Sequence, residues 1–197
     1  MTLILASGSR SRKDMLQAAG VSFDVQNPYV DEDPVKEALL NEGAPPRDIA
    51  DALAEMKALA VSALSADAYV LGADQILNLE GVCFSKAKDM AGAKQQLQAL
   101  SGKKHSLISA VVIARGGRPI WRAMDKADLT MRALSDDYID DYLGLCGEGI
   151  LSSVGCYHLE GLGAQLFERV EGDYFTVLGM PLLKTLQFCR TQGLMTS

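Results

Sequence analysis

The chain contains 197 residues, of which 48% are hydrophobic and 22% are charged, and its formal net charge is −6. This balance is typical of a globular protein, and a chain of this length can bury a core without disulfides or structural metals. The negative charge argues against a protein that coats duplex nucleic acid, because such proteins neutralise many phosphates with Lys and Arg.

The apolar runs are shorter than the roughly 18 residues of a membrane span, and the N-terminal run lacks the length and the preceding cation of a secretory signal. The four cysteines show no C-x-x-C spacing, which argues against metal knuckles and thioredoxin-like redox chemistry. Since only two histidines occur, any catalysis is expected to depend on carboxylates and lysines. We expect a cytoplasmic protein with reduced thiols that forms one domain over residues 1–197 and has no membrane partner.

Strands and helices interleave in the first half of the chain. The helix over 45–65 has the clearest pattern, because its apolar residues recur at intervals of three and four and Pro46 suits a first helical turn. The predicted elements are a buried strand over 2–6, a helix over 11–20, a strand over 21–26, a loop over 27–34, the helix over 45–65 and a strand over 68–74.

The second half begins with a predicted hairpin over 75–84 that turns near Glu80 and Gly81. Later elements are a helix over 89–102, two antiparallel strands over 105–115 and 120–132, a helix over 135–147, a glycine-rich segment over 149–172 and a closing helix over 180–193. Hairpins in the middle of the chain exclude a purely parallel sheet. The sequence therefore predicts an α/β fold with a mixed, curved sheet flanked by helices.

Small hydroxyls and cations lie together where the first strand turns into the first helix. Backbone N–H groups at such a turn, and the helix dipole, favour an anion. Ser7 and Ser9 can add hydrogen bonds, whereas Arg12 and Lys13 near a helix start are unfavourable unless an anion compensates them. The turn therefore predicts a phosphate site, and the alternative is a solvated basic surface turn.

Acidic residues cluster in the loop over 30–33, V-D-E-D. Such acids are usually solvated, although magnesium also prefers carboxylate oxygens together with substrate phosphates. A second acid, Asp74, follows the apolar run Y-V-L-G-A and is expected at the end of that strand. A carboxylate in that place often lies at a crevice, and the alternative is an Asp that forms a turn. By spacing alone, Lys57 and Lys86 are ordinary lysines.

The order of these motifs resembles the Maf family of nucleoside triphosphate pyrophosphatases over nearly the whole chain. The resemblance is carried by L-A-S-G-S-R-S-R-K-D-M-L at the start and, in family order, by V-D-E at 30–32, Lys57, G-A-D-Q at 72–75, S-K-A-K-D at 85–89, L-S-G-K-K-H at 100–105 and the block from E-G-L-G to G-M-P-L near the C-terminus. It implies two lobes around a cleft, as in inosine-triphosphate pyrophosphatases. The family is often dimeric, and dimerisation is left open for this chain.

The resemblance also implies hydrolysis of a nucleoside triphosphate to the monophosphate and pyrophosphate, with Mg²⁺ or Mn²⁺ as the cofactor. The catalytic carboxylate of the family falls on Asp74, which would act as general base and, with Glu32, would hold the metal. The substrate phosphates would be bound by cations and a hydroxyl, at Ser9, Arg12, Lys13, Lys57 and Lys86. No stable binding of nucleic acid is expected.

Three positions influence the choice of base in the family, and they correspond to Ser11, Gln75 and Glu160. Gln75 and Glu160 favour the 7-methyl-GTP branch, since a carboxylate can accept hydrogen bonds from a guanine edge. That branch has a tryptophan where Ser11 stands, and an aromatic ring would suit a cationic methylated base. The base preference is therefore left open.

Two other classes of protein compete with this interpretation. A nucleotidyltransferase shares a superficially similar opening, but the glycine pattern differs and the following Pro-Lys motif is missing. A non-catalytic nucleotide-binding regulator of cell division is the second alternative, because the family has been linked to septum formation. A regulator would bind nucleotide without turnover, and the retained Asp74, Glu32 and Lys86 argue against it.

Overall fold

The structure is a computed structural model that describes residues 2–196. Its strands are β1 (Leu3–Ala6), β2 (Asp24–Val25), β3 (Tyr69–Leu79), β4 (Val82–Phe84), β5 (Lys104–Arg115), β6 (Arg118–Met131) and β7 (Phe167–Glu171). Its α-helices are α1 (Arg10–Ala18), α2 (Asp33–Asn41), α3 (Pro46–Ser62), α4 (Met90–Leu100), α5 (Asp136–Cys146), α6 (Tyr174–Val177) and α7 (Leu182–Thr191). Two short 3-10 helices cover Glu148–Ser152 and Leu162–Leu166.

The seven strands form a mixed sheet in the order β2-β1-β3-β5-β6-β7, with β4 paired to β3. Strand β1 lies parallel to both β2 and β3, whereas β4 is antiparallel to β3 and β7 is antiparallel to β6. Parallel pairing of β1 with β3 needs a long crossover, and α1, α2 and α3 lie in that connection. The prediction of a mixed α/β fold is confirmed.

The described residues form two compact units, and β3, β5 and β6 contribute to both. The first unit comprises the residues up to Gln75, the segment Ile108–Asp125 and the residues from Asp173 onward. Its main core contains buried side chains of β1, α1, β3, β5 and α7, among them Leu5, Leu16, Leu71 and Ile113. That core fixes the first turn of α1 and the middle of β3, where the candidate site residues lie.

The second unit comprises Ile76–Leu107 and Lys126–Gly172. Helices α4 and α5 pack against each other in it, and the buried side chains include Leu97, Leu100 and Ile139. The expectation that residues 1–197 form a single domain stays a prediction.

Strand β3 differs from the prediction, because it runs without interruption from Tyr69 to Leu79 and Asp74 lies inside it. The residues after Asp74 continue the apolar pattern of the strand, and Glu80 and Gly81, both with positive φ, form the turn into β4. The expectation that Asp74 ends a strand was therefore wrong, although the predicted hairpin turn is confirmed.

Two further differences lie in the segment between β1 and α3. Helix α2 begins inside the predicted loop over 27–34, because Pro34 suits a first helical turn and Glu37, Ala38 and Leu39 favour helix. The strand predicted over 21–26 is reduced to Asp24–Val25, with both residues exposed. Within residues 2–196, no helix combines the length and the apolar composition needed to cross a membrane.

Candidate active site

A buried lysine bridges two carboxylates in the first unit. The Nζ atom of Lys57 lies 2.7 Å from Oδ1 of Asp74 and 2.7 Å from Oε2 of Glu32. The side chains of Lys57 and Asp74 are only 8% and 10% exposed, so water screens their attraction weakly. A buried charge is tolerated only with a close partner, and this cluster satisfies that requirement for Lys57 and Asp74.

Helix α3 and strand β3 bring Lys57 and Asp74 together. The buried residues of α3 recur at intervals of three and four, and they include Leu53, Ala54, Ala58 and Val61. Lys57 belongs to that face, so its side chain is directed into the protein rather than toward solvent. By spacing alone, Lys57 resembles an ordinary lysine whose ammonium reaches the solvent. Only the family resemblance distinguishes Lys57 as a site residue.

Glu32 occupies the N-cap position of α2, yet its side chain makes no capping hydrogen bond. Its carboxylate instead reaches Lys57, and the whole side chain of Glu32 is 39% exposed. Asp31 and Asp33, on either side, are more exposed, as expected for solvated acids. The acidic loop therefore contributes one of its carboxylates, that of Glu32, to the buried cluster.

Arg12 is a second buried cation of the first unit, at 8% exposure. Its Nε donates a hydrogen bond to the carbonyl oxygen of Gly179 at 2.9 Å, and its NH1 atom donates to Oγ of Ser7 at 3.3 Å. Burial lowers the pKa of Arg12, and the negative charges of Asp74 and Glu32 oppose that effect. Both bonds of this guanidinium go to neutral oxygens, so its charge is available to an anion.

Ser9 precedes α1 as its N-cap residue, because its Oγ accepts a hydrogen bond from the backbone N–H of Arg12 at 3.5 Å. Oγ of Ser7 accepts a hydrogen bond from the N–H of Ser9 at 3.1 Å, in addition to the bond from Arg12. The two serines therefore hold the turn and the arginine in place. A hydroxyl that accepts in this way still has its own hydrogen to donate.

Lys13 and Ser11 also lie near the start of α1. Lys13 is exposed, and Ser11 is partly exposed. Position Arg10 is exposed too and forms an ion pair with Asp14 one turn later. Of the basic residues in the opening segment, Arg12 is the buried one, and its spacing does not distinguish it from Arg10 or Lys13.

Gln75 follows Asp74 in β3 and therefore points to the opposite face of the strand. Its Nε2 atom donates to the carbonyl oxygens of Thr176 at 2.9 Å and Val177 at 3.0 Å and lies 3.0 Å from Oγ of Ser109. Three acceptors surround two amide hydrogens, so the orientation of the amide is fixed by the protein. The contacts of Gln75 with Thr176 and Val177 join residues about a hundred positions apart, so the spacing of residues in the sequence does not reveal them.

Lys86 and Glu160 belong to the second unit. Lys86 is exposed in the loop between β4 and α4, and Glu160 is exposed just before the 3-10 helix Leu162–Leu166. The first unit thus contains Ser9, Ser11, Arg12, Lys13, Glu32, Lys57, Asp74 and Gln75. The roles predicted for Lys86 and Glu160 stay predictions.

Two carboxylates of the first unit, those of Glu32 and Asp74, converge on one cation, the ammonium of Lys57. Among residues 2–196, no group of three or more His, Cys, Asp and Glu side chains is close enough to hold a metal. Magnesium is commonly bound by one or two carboxylates together with substrate phosphates and water. The two carboxylates fit such a shared site.

Comparison with known proteins identifies relatives of this chain over almost its whole length. The family model described as "Maf-like protein" matches residues 2–192. A nucleoside triphosphate pyrophosphatase of Caulobacter vibrioides is 51% identical over 98% of this chain and 96% of its own length. Proteins of the same name from Paramagnetospirillum magneticum and Granulibacter bethesdensis are 49% and 45% identical, over 96% and 100% of this chain and 98% and 100% of theirs.

A solved structure also resembles the chain. It is a nucleoside-triphosphatase, described as a dITP/XTP pyrophosphatase, from Mycobacterium abscessus. The TM-score is 0.45 at 13% sequence identity, and the match covers 98% of this chain and 96% of that chain.

Proposed function

The chain belongs to the Maf-like protein family, and we propose that it is a cytoplasmic enzyme that hydrolyses a nucleoside triphosphate to the monophosphate and pyrophosphate. The observation that carries the proposal is the buried cluster of Lys57 with Glu32 and Asp74 in the same unit as the Arg12 turn. The names of the relatives support the same reaction.

In the proposed reaction, Asp74 accepts a proton from the attacking water, whose oxygen forms a bond to the α-phosphorus. The bond between the α-phosphorus and the bridging oxygen breaks, and pyrophosphate leaves with that oxygen. Lys57 holds Oδ1 of Asp74 at 2.7 Å and so fixes the direction of the carboxylate. Such positioning is a general requirement for a base, which must lie within hydrogen-bond reach of the proton it abstracts.

The triphosphate would bind at the turn before α1. Arg12 supplies a buried cation held by Gly179 and Ser7, while Lys13 and the backbone amides of the turn supply further donors. We assign Ser9 to this cradle as well, and the family resemblance assigns Lys57 and Lys86 to neutralising the triphosphate. A substrate anion would also offset the unfavourable placement of cations near a helix start.

The proposal includes Mg²⁺ or Mn²⁺ held by Glu32 and Asp74. The charges of the site support this: the two cations Arg12 and Lys57 and the two carboxylates sum to zero, so the several negative charges of a triphosphate call for a further cation. When bound, the ion would neutralise phosphate oxygens and polarise the phosphorus that the water attacks.

The base would be selected by Ser11, Gln75 and Glu160. The amide hydrogens of Gln75 are engaged by Thr176 and Val177, so Gln75 would recognise a base through its carbonyl oxygen. An acceptor suits a base that presents N–H donors, such as guanine. Uracil and thymine present an N–H donor as well, so the choice of 7-methyl-GTP as the first substrate to test rests on the family resemblance of Gln75 and Glu160.

The test is pyrophosphate release from a panel of common NTPs and dNTPs, 7-methyl-GTP, 5-methyl-UTP and pseudo-UTP, with Mg²⁺ and then Mn²⁺. The proposal expects pyrophosphate and the matching monophosphate in equal amounts, a rate that falls at least a hundredfold in Asp74→Asn, and an unchanged rate in the control Asp31→Asn. Nucleotide binding without turnover across the panel would reject the enzyme and favour the regulator of cell division. Release of inorganic phosphate instead would reject cleavage at the α-phosphorus.

A further inference from the structure

The backbone of helix α3 lies directly against strand β3 at Gly72. A β-carbon at this position would overlap the carbonyl oxygen of Ala54 and would lie 2.6 Å from the amide nitrogen of Ala58 and 2.9 Å from its β-carbon. The first two of these atoms belong to the backbone and cannot rotate away. Only a glycine, which has no β-carbon, leaves room for the backbone of α3 at this position of β3.

This contact lies beside the buried ion pair. Lys57 precedes Ala58 in the same helical turn, and Asp74 follows Gly72 by two residues in β3. Residues two apart in a strand face the same side of the sheet, so Gly72 and Asp74 both face α3. The distance between helix and strand at Gly72 consequently sets how far the side chain of Lys57 must reach.

We propose that Gly72 is a positioning residue: the missing side chain sets the separation of α3 and β3 at which Lys57 binds Asp74 and Glu32 together. This inference rests on the proposed pyrophosphatase function for its effect on catalysis, but not for its effect on the ion pair. A methyl group would displace α3 by roughly 1 Å before ordinary van der Waals contact is restored. A displacement of that size near a catalytic group can lower a rate by about a hundredfold.

The test is a double-mutant cycle on stability, combining Gly72→Ala with Lys57→Met and following unfolding in urea. If Gly72 acts by placing Lys57 on its carboxylates, Gly72→Ala already weakens the ion pair, and the loss of urea midpoint caused by Lys57→Met falls to less than half of its value in the parent. Additive losses would mean that the methyl group at position 72 destabilises the fold without disturbing the ion pair of Lys57, and additivity would therefore overturn the proposal. The control is Gly144→Ala in α5, where a β-carbon would meet no atom within 4 Å.

Pyrophosphate release provides the second measurement. Gly72→Ala is expected to lower kcat about a hundredfold with KM changed less than threefold, while Gly144→Ala keeps the parent values. An unchanged kcat in folded Gly72→Ala would overturn the proposal. If the parent releases no pyrophosphate but the stability cycle is coupled, the proposed function fails and the positioning role stands. Should Gly72→Ala not fold, Ala58→Ser adds one atom from the helix side of the same contact and takes its place in the cycle.

Discussion

The guanidinium of Arg12 is tied to the carbonyl oxygen of Gly179, a residue 167 positions later in the chain, by a hydrogen bond of 2.9 Å. Gly179 has a φ of +108°, which an L-residue with a side chain rarely adopts, so this carbonyl is presented by a backbone that favours glycine. The turn at the start of the chain and the segment before α7 therefore hold one cation between them.

Arg12→Lys is the first prediction, because an ammonium keeps the charge but loses the fork that reaches Gly179 and Ser7 together. Loss of a hydrogen bond to a charged group is worth about 1.5–3 kcal/mol. We expect KM for the preferred nucleotide to rise at least about tenfold. Steady-state kinetics of pyrophosphate release would measure it.

The matched control for Arg12→Lys is Arg10→Lys, since Arg10 is exposed at the same helix start. It is expected to retain the parent KM. Equal effects of the two substitutions would contradict a specific role of the buried guanidinium.

Lys57→Met is predicted to destabilise the fold, because it leaves the buried carboxylate of Asp74 without its cation. Breaking a buried ion pair in this way costs about 3–5 kcal/mol. The double variant Lys57→Met/Asp74→Asn should regain part of that loss, since it also removes the uncompensated charge. Unfolding in urea would measure both.

The control for Lys57→Met is Lys184→Met. Lys184 pairs with Asp125 at 2.8 Å, but both side chains are more than a third exposed, and surface pairs contribute at most about 1 kcal/mol. If the double variant proved less stable than Lys57→Met alone, the buried charge of Asp74 would not be the cause of the loss.

His105 leads to a prediction on pH. It is buried in the second unit beside the rings of Tyr157 and Phe167, and its Nε2 atom lies 2.8 Å from the Tyr157 hydroxyl. Burial lowers the pKa of His105 to about 4, while the charge of Asp128 opposes the shift. His105 Nδ1 is buried without a hydrogen-bond partner among the described residues.

A histidine with a lowered pKa is neutral in the folded protein at a pH where the unfolded chain already binds the proton. Stability is therefore complete above the ordinary pKa of 6.5 and falls as the pH drops from there to about 4. The loss is expected to reach about 3 kcal/mol. Urea unfolding of the parent and of His105→Phe at several pH values would measure this loss, and the free energy of unfolding should depend less steeply on pH in the variant. His158→Phe is the control, and a parent-like slope in His105→Phe would contradict the assignment.

Gln75→Glu is predicted to destabilise the first unit. The change replaces an amide donor by a carboxylate oxygen that faces the carbonyl oxygens of Thr176 and Val177. Unsatisfied buried polar groups cost about 1–3 kcal/mol each, and more when charged. Thermal or urea unfolding would measure the loss, with the exposed Gln17→Glu as control. A neutral result would mean that the amide is not fixed by these carbonyls.

The helix that carries Lys57 could be predicted from the sequence, because its apolar residues recur at helical spacing. The mixed sheet could be predicted as well, because glycines mark its hairpin turns. The sequence predicts that Asp74 ends a strand, since a charged residue after an apolar run is typical of the end of a buried strand. Tertiary contact with Lys57 overrides that preference and keeps Asp74 within β3.

Other parts of the site have no local signal. Spacing could not distinguish buried Arg12 from exposed Arg10, because the difference arises from a carbonyl at Gly179 that is distant in sequence. Likewise, Glu32 differs from its acidic neighbours only through the position of Lys57 one helix later. Such features depend on contacts between remote segments, which periodicity does not report.

Asp74 and Gln75 are consecutive residues with separate surroundings, one facing α3 and the other facing α6. A substitution on the α6 side leaves the contact between Lys57 and Asp74 in place, because the strand backbone separates the two side chains. If Gln75 selects the base, a single substitution at that position could change which nucleotide a related enzyme prefers. The reaction itself would be inherited unaltered.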